Sequence, residues 1–243
     1  MIEELKIKIE TYYAIQKIRI QAELRIKAFI RDDRLTELQA QSLHFWEDEH
    51  LKGIEKSIKK DVTLLLKDVP IYTEWMKDVL GIGPCLAGSL YAGIYDISRF
   101  NTISKLWKYC GQDVDESGRA PRRQKGKKLT ADPFLQMTIY KLTDSFVKQT
   151  AEKCLYRRLY DIKKAFYKQE HPEKVDSGRR SKKGEVIWDY TDLHIHRMAK
   201  RYAGKIFLEH LWVEWRTLEG LPVSKPWVIE HGGHGNYIEP TCI

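Results

Sequence analysis

Residues Met76 to Ile94, M-K-D-V-L-G-I-G-P-C-L-A-G-S-L-Y-A-G-I, carry two apolar helical segments on either side of the tight turn Gly81-Ile82-Gly83-Pro84. Glycine reaches positive φ without penalty, and its missing Cβ lets another group come close to the turn amides. Pro84 suits the first position of a helix, whose N-terminal amides and dipole favour an anion. Two readings follow. Either this is a helix-hairpin-helix that holds a phosphate through Gly81, Gly83 and Pro84, or it is an αα-hairpin whose glycines only turn the chain.

Working outward, the periodicity is helical nearly everywhere, and the expected fold is all-α. From Ile2 to Arg31 two apolar stripes run at helical spacing, one through Leu5, Ile9, Tyr13, Ile20 and Leu24, the other through Ile15, Ile18, Ala22, Ile26 and Ile30. A break at Asp32-Asp33-Arg34 and a second helical stretch through Leu65 complete a long N-terminal helical hairpin. Its interspersed Lys and Glu suit a coiled-coil flank, so residues 1–68 are expected to form a coiled-coil-like hairpin able to dimerise. Residues 69–170 are expected to form a helical domain around the glycine hairpin. Within it, Asn101-Thr102 caps a short helix ending at Gly111, and Asp132-Pro133 opens another helix. The remaining residues, 171–243, read as a polar basic break over His171–Glu185, a long helix closed by Gly220 and Pro222, and an extended arm rich in Gly, Pro and His.

Composition bounds the function. The 42 Lys and Arg against 34 Asp and Glu give a formal charge of +8, which favours polyanionic partners where the excess is clustered. It is clustered from Arg119 to Lys128, where Arg119, Arg122, Arg123, Lys125, Lys127 and Lys128 fall in a stretch without periodicity, interrupted by Gly118, Pro121 and Gly126. Such a loop either holds nucleic-acid phosphates, with steep salt dependence, or is a solvated charge run. Cys85, Cys110, Cys154 and Cys242 form no C-x-x-C pair, which excludes a zinc ribbon and a dense disulfide framework and fits a reducing, cytoplasmic setting. Neither a signal peptide nor a stretch approaching the roughly 20 apolar residues of a membrane span is evident, so no membrane partner is expected.

Two further clusters invite chemistry. His194 and His196 lie two apart, which on a helix points them to different sides, so they are assigned to structure or DNA contact rather than to a metal, and no metal site is expected. Asp113, Asp115 and Glu116 are read as solvated loop charges ahead of a magnesium site, since no complete ligand set accompanies them. Trp107, Tyr109, Trp212 and Trp215 are assigned to the core.

The order V-L-G-I-G-P-C-L-A, D-I-S-R-F, K-L-W-K-Y-C-G and then a basic loop with Ser117-Gly118 resembles the C-terminal transposase domain of the DEDD-type insertion-sequence transposases, the family that includes the Piv DNA invertases. The resemblance runs from about Val79 to Tyr160 and more weakly through the last long helix. It implies a DNA-binding, mobile-element protein acting in transposition or site-specific recombination, with Ser117 as the nucleophile that attacks a DNA phosphodiester. It implies that Gly81, Gly83 and Pro84 hold backbone phosphate and that the Arg119–Lys128 cations line the DNA path. It also implies homo-oligomers and, for some members, a guide RNA. The family's carboxylate domain ordinarily precedes the hairpin and is expected to be missing here, so no cofactor is expected from this chain alone; magnesium would enter only with a carboxylate-domain partner chain. Asp115-Glu116 stands where the family carries small polar residues, and Leu129-Thr130-Ala131-Asp132-Pro133 replaces its Ser-Lys-Arg-Gly-type turn. Those departures leave open a second reading, a non-catalytic DNA-binding or DNA-bridging module derived from a transposase.

Overall fold

The computed structural model describes residues 1–114, 120, 126, 130–224 and 238–240. Helices dominate: α1 Ile2–Arg31, α2 Glu37–Trp46, α3 Gly53–Leu65, α4 Pro70–Glu74, α5 Pro84–Ile94, α6 Ile103–Tyr109, α7 Pro133–Val147, α8 Leu155–Glu170 and α9 Asp192–Leu218. Among the described residues the β-structure is one antiparallel pair, β1 Val175–Arg180 and β2 Val186–Asp189. The chain is thus essentially all-α, with a β-hairpin where only a polar break was expected.

The chain divides into two compact units, Met1–Thr73 with Gly83–Tyr95, and Glu74–Ile82 with Asp96–Ile243. The ranges expected from periodicity and polar breaks are 1–68, 69–170 and 171–243; the two units are set by packing. In the first unit α1 lies against α3 and α5, and Gly88 of α5 is the contact point: a Cβ there would stand 2.9 Å from Ile9 Cδ1, 3.3 Å from Leu5 Cδ1 and 3.4 Å from Val62 Cγ1. Leu5, Ile9 and Val62 are fully buried around it. Thr36 starts α2 with a capping box, its hydroxyl accepting from Gln39 N while the Gln39 side chain accepts from Thr36 N. A π-helical turn, Glu47–Lys52, links α2 to α3, and the Arg19 guanidinium on α1 reaches Glu55 at 2.6 Å. Further along α1 the stripe opens: Ile18, Ile20, Leu24 and Ile30 are exposed, as are Leu38 and Phe45 on α2.

The second unit is built around α9, whose Ala199, Ala203, Phe207, Leu211 and Trp215 are buried at intervals of four. Phe207 gathers an aromatic core, with Trp75, Phe146 and Tyr156 at ring-centroid distances of 5.6, 5.5 and 5.4 Å. Gly204 lets α7 approach closely, since a Cβ there would meet Thr143 Cγ2 at 3.0 Å. Because α8 packs along the same helix, residues 171–243 do not separate from 96–170. No helix of the described residues is long and apolar enough to cross a membrane.

Candidate functional site

Gly81 belongs to the second unit, and Gly83 and Pro84 to the first. The segment before the turn is shorter than the periodicity suggested. It is the five-residue α4, a 3-10 turn Met76–Asp78 and an extended Val79, because Trp75 and Met76 leave helical register to bury themselves at 2 % and 0 % exposure. Gly81 has φ +99°, which only glycine adopts without strain. Its Cα face is covered by α7, where a Cβ would stand 3.1 Å from Phe146 Cδ1, and its carbonyl accepts the Ser145 hydroxyl at 2.6 Å. Packing thus explains this glycine fully. Gly83 is different: it caps α5 in an extended conformation, and nothing lies within 4 Å of where its Cβ would be. Its carbonyl accepts from Leu86 N and Ala87 N, and Pro84 takes the first helical position as its fixed φ favours.

The serine loop leaves from the end of α6. Gly111 ends that helix at φ +69° with a Schellman pattern, Gln112 N donating to Trp107 O at 2.7 Å and Gly111 N to Lys108 O at 3.1 Å. The two ends of the loop are tied together by Asp132 N donating to Tyr109 O at 2.8 Å, and the Asp132 carboxylate then caps α7 by accepting from Leu135 N at 2.9 Å. From α9, the Arg201 guanidinium donates to the carbonyls of both Gly111 and Asp113. Beside it Lys205 lies over the Trp107 ring at 4.7 Å, while Trp107 Nε1 donates to Lys205 O at 3.0 Å. Burial lowers the pKa of both cations; for Lys205 the neighbouring Arg201 adds to the effect and Asp113 opposes it. The result is a closed, cationic root for a long basic loop. Ser117 and the cations Arg119, Arg122, Arg123, Lys125, Lys127 and Lys128 lie outside the described residues.

Other motif residues have structural partners. In D-I-S-R-F, Asp96 accepts from Ser98 N at 2.8 Å, and Phe100 O accepts from Trp212 Nε1 at 2.7 Å and from Arg216 Nη1 at 3.1 Å. Trp212 and Trp215 are core residues. His194 Nδ1 accepts from Tyr190 N at 2.9 Å, and His196 Nδ1 lies 2.7 Å from the Tyr160 hydroxyl. Buried His210 is held on both sides: its Nδ1 lies 2.9 Å from Tyr156 Oη and its Nε2 lies 2.8 Å from Ile238 O. Since the carbonyl can only accept, Nε2 carries the proton and Nδ1 accepts from the tyrosine. Burial pushes His210 down to about 4, so it is neutral at pH 7. The adjacent Glu209 carboxyl, also buried, is pushed up to about 7. Cys85, Cys110 and Cys154 are free and buried; Cys242 lies outside the described residues.

The spacing of glycines, serine and basic residues is visible in the sequence, whereas nothing in it marks Arg201 and Lys205. They look like two more polar positions on an amphipathic helix, and only the packing of α9 beneath α6 brings them to the loop root.

The described residues define an all-α protein in which the chain on either side of residues 115–129 is tied together by Asp132 and Tyr109. No family model matches the chain, and no curated protein gives a significant match to it.

Proposed function

We propose that this is a DNA-binding, transposase-like protein whose Ser117 attacks a DNA phosphodiester. The observation that carries the reading is the loop root: a segment with Ser117 and six cations leaves from a frame closed by the Asp132–Tyr109 hydrogen bond and clamped by Arg201. The sequence concentrates those six cations between Arg119 and Lys128, and phosphate binding follows from such a concentration of charge by counterion release. In the chemical step the Ser117 hydroxyl gives up its proton as its oxygen forms a bond to phosphorus, the bridging P–O bond to one DNA strand breaks, and the released strand-end oxygen takes up a proton, so that the net proton transfer is from serine to the leaving strand. A serine hydroxyl is a weak nucleophile and needs a base, a metal or strong electrostatic help. The loop cations supply charge stabilisation, and a magnesium-bearing carboxylate domain on a partner chain would supply the rest. DNA is the principal partner in this reading; a guide RNA, a homo-oligomer and a cytoplasmic location accompany it through the family resemblance.

The test is to incubate the full chain with DNA bearing a candidate element end and magnesium, with and without a carboxylate-domain partner, and to resolve covalent adducts on a denaturing gel. An adduct lost in Ser117→Ala supports the proposal. One that persists in that variant removes Ser117 as the nucleophile. Salt-sensitive binding without any adduct assigns the chain to the alternative, a non-catalytic DNA-binding or DNA-bridging module.

A further inference from the structure

The β-hairpin is the element the sequence reading did not anticipate, and its construction is specific. Val175 pairs with Asp189, Asp176 with Trp188, Arg179 with Ile187 and Arg180 with Val186, and the irregularity between Asp176 and Arg179 is a bulge at Ser177-Gly178. Gly178 takes φ +72° there, and its N–H donates to the Asp176 carboxylate at 2.9 Å. At the tip, Ser181-Lys182-Lys183-Gly184 forms a turn: Gly184 N donates to Ser181 O at 3.0 Å and Ser181 N to Glu185 O at 2.8 Å. The Ser181 hydroxyl accepts from both Lys183 N and Glu185 N, at 3.2 and 3.1 Å. Lys182 and Lys183 therefore occupy the two corner positions of a turn already fixed by its own hydrogen bonds.

Charge is distributed unevenly along this ribbon. Arg179 is paired with Asp189 at 2.7 Å and Arg180 holds Asp176 bidentately at 3.0 and 3.1 Å, so the shaft is neutralised. Lys182 and Lys183 are exposed and have no ion pair among the described residues. Val175, Ile187 and Trp188 remain 54, 36 and 40 % exposed, and Lys174 Nζ lies 4.7 Å over the Trp188 ring. The two strands pack chiefly on each other, and at the end of β2 Asp189 lies 3.5 Å from His194 of α9. A lone two-stranded ribbon is marginally stable in water, and apolar residues left uncovered on it mark a surface that binds something. At its root Lys168 is paired with Asp192 at 2.8 Å, and Tyr190 stacks between His171 and His194, at 3.6 and 5.6 Å, beside an open groove that Lys168 and Lys174 line.

A duplex major groove, about 12 Å wide, admits a two-stranded β-ribbon, whose strands lie about 4.8 Å apart. We propose that the ribbon Val175–Asp189 enters the major groove of duplex DNA, with Lys182 and Lys183 on phosphates at its tip and Trp188 and Lys174 against the groove wall. This rests on the DNA-binding reading above and adds a second contact surface, separate from the serine loop.

The experiment measures duplex binding of the full chain and of Lys182→Gln/Lys183→Gln by fluorescence anisotropy across a salt series, using ordinary DNA and DNA whose cytosines carry glucosylated hydroxymethyl groups that fill the major groove. If both lysines meet phosphates, the double variant binds about tenfold more weakly per lysine near 0.1 M salt, and its log–log salt slope is shallower by about 2. The glucosylated duplex then weakens the wild type and removes its advantage over the variant. Duplex binding by the wild type that is equalled by the variant in affinity and slope overturns the ribbon proposal and leaves the DNA reading standing. An unchanged affinity for glucosylated DNA overturns major-groove entry. No duplex binding by the wild type defeats both readings. Trp188→Ala that leaves DNA affinity intact but abolishes self-association or a protein partner's binding assigns the ribbon to a protein contact and overturns the proposal.

Discussion

Replacing Gly81 by alanine separates packing from phosphate binding at the glycine turn. The residue sits at φ +99°, where an L side chain costs about 1–2 kcal/mol. The new Cβ stands 3.1 Å from Phe146 Cδ1, and Phe146 is fully buried, stacked at 4.6 Å on Tyr156 and held 5.5 Å from Phe207, so it cannot yield freely. Overpacking of this kind costs about 1–3 kcal/mol, and the reduced freedom of the unfolded chain returns about 0.4–1 kcal/mol. The net destabilisation is about 1–4.5 kcal/mol, about 3 at the centre of that range, where it lowers the thermal midpoint by about 6–12 °C for a chain of this size. Gly83→Ala is the matched control: no atom lies within 4 Å of its Cβ and its φ of −93° is open to alanine, so its midpoint should stay within about 2 °C of the wild type. Circular dichroism melts of the two variants provide the comparison. A Gly81→Ala protein that melts with the wild type refutes the packing account. If Gly83→Ala folds normally and still binds duplex DNA with unchanged affinity, the turn's phosphate-binding role is refuted instead.

Arg201→Met should leave the helical signal intact but speed limited proteolysis within residues 113–132, because the clamp on the Gly111 and Asp113 carbonyls is lost; unaltered cleavage would show that the root holds without it. Arg216→Met should lower stability by about 1.5–3 kcal/mol in urea melts, since the Phe100 carbonyl keeps only its bond from Trp212 and the Pro222 carbonyl loses its bond from Arg216. His210 and Glu209 set opposed pH dependences. The His210 pKa in the fold, about 4, is below its ordinary 6.5, so the unfolded chain binds more protons between those values and the contribution, on the order of 3 kcal/mol, is present above pH 6.5 and lost as pH falls through 4. The Glu209 pKa, about 7, is above its ordinary 4.5, so its contribution is full below 4.5 and lost as pH rises through 7. Glu209→Gln should therefore be more stable than wild type at pH 8 and show a steeper loss on acidification from pH 7 to 4; parallel pH profiles would refute the opposition.

Helix boundaries were legible wherever a local signal set them. The Asp132-Pro133 start of α7 needs only the Asp132 carboxylate on Leu135 N, and the end of α9 needs only Gly220 at φ +66°, with Leu221 N donating to Arg216 O at 2.8 Å. Nothing local announced the β-hairpin, because Val175 and Val186-Ile187-Trp188 are short β-forming runs set among charges and their pairing depends on a turn nucleated by Ser181. The reason for Gly81 was equally hidden, since its partner Ser145 is 64 positions away in sequence. Gly88 reads as one more small residue in an apolar helix, yet its contacts with Leu5, Ile9 and Val62 draw α5 into the first unit. Of the site, the loop's charge and its serine could be read directly; the Arg201 clamp and the half-buried Lys205 required the three-dimensional path of α9.

The most direct measurement is the salt dependence of duplex DNA binding by the wild type and by a variant with Arg119, Arg122, Arg123, Lys125, Lys127 and Lys128 all changed to Gln. Full engagement of the loop predicts a steep wild-type slope of log K against log salt that becomes shallower by up to about 5 in the variant, at about 0.9 per phosphate contact. Equal slopes and equal affinities for the two proteins would contradict it.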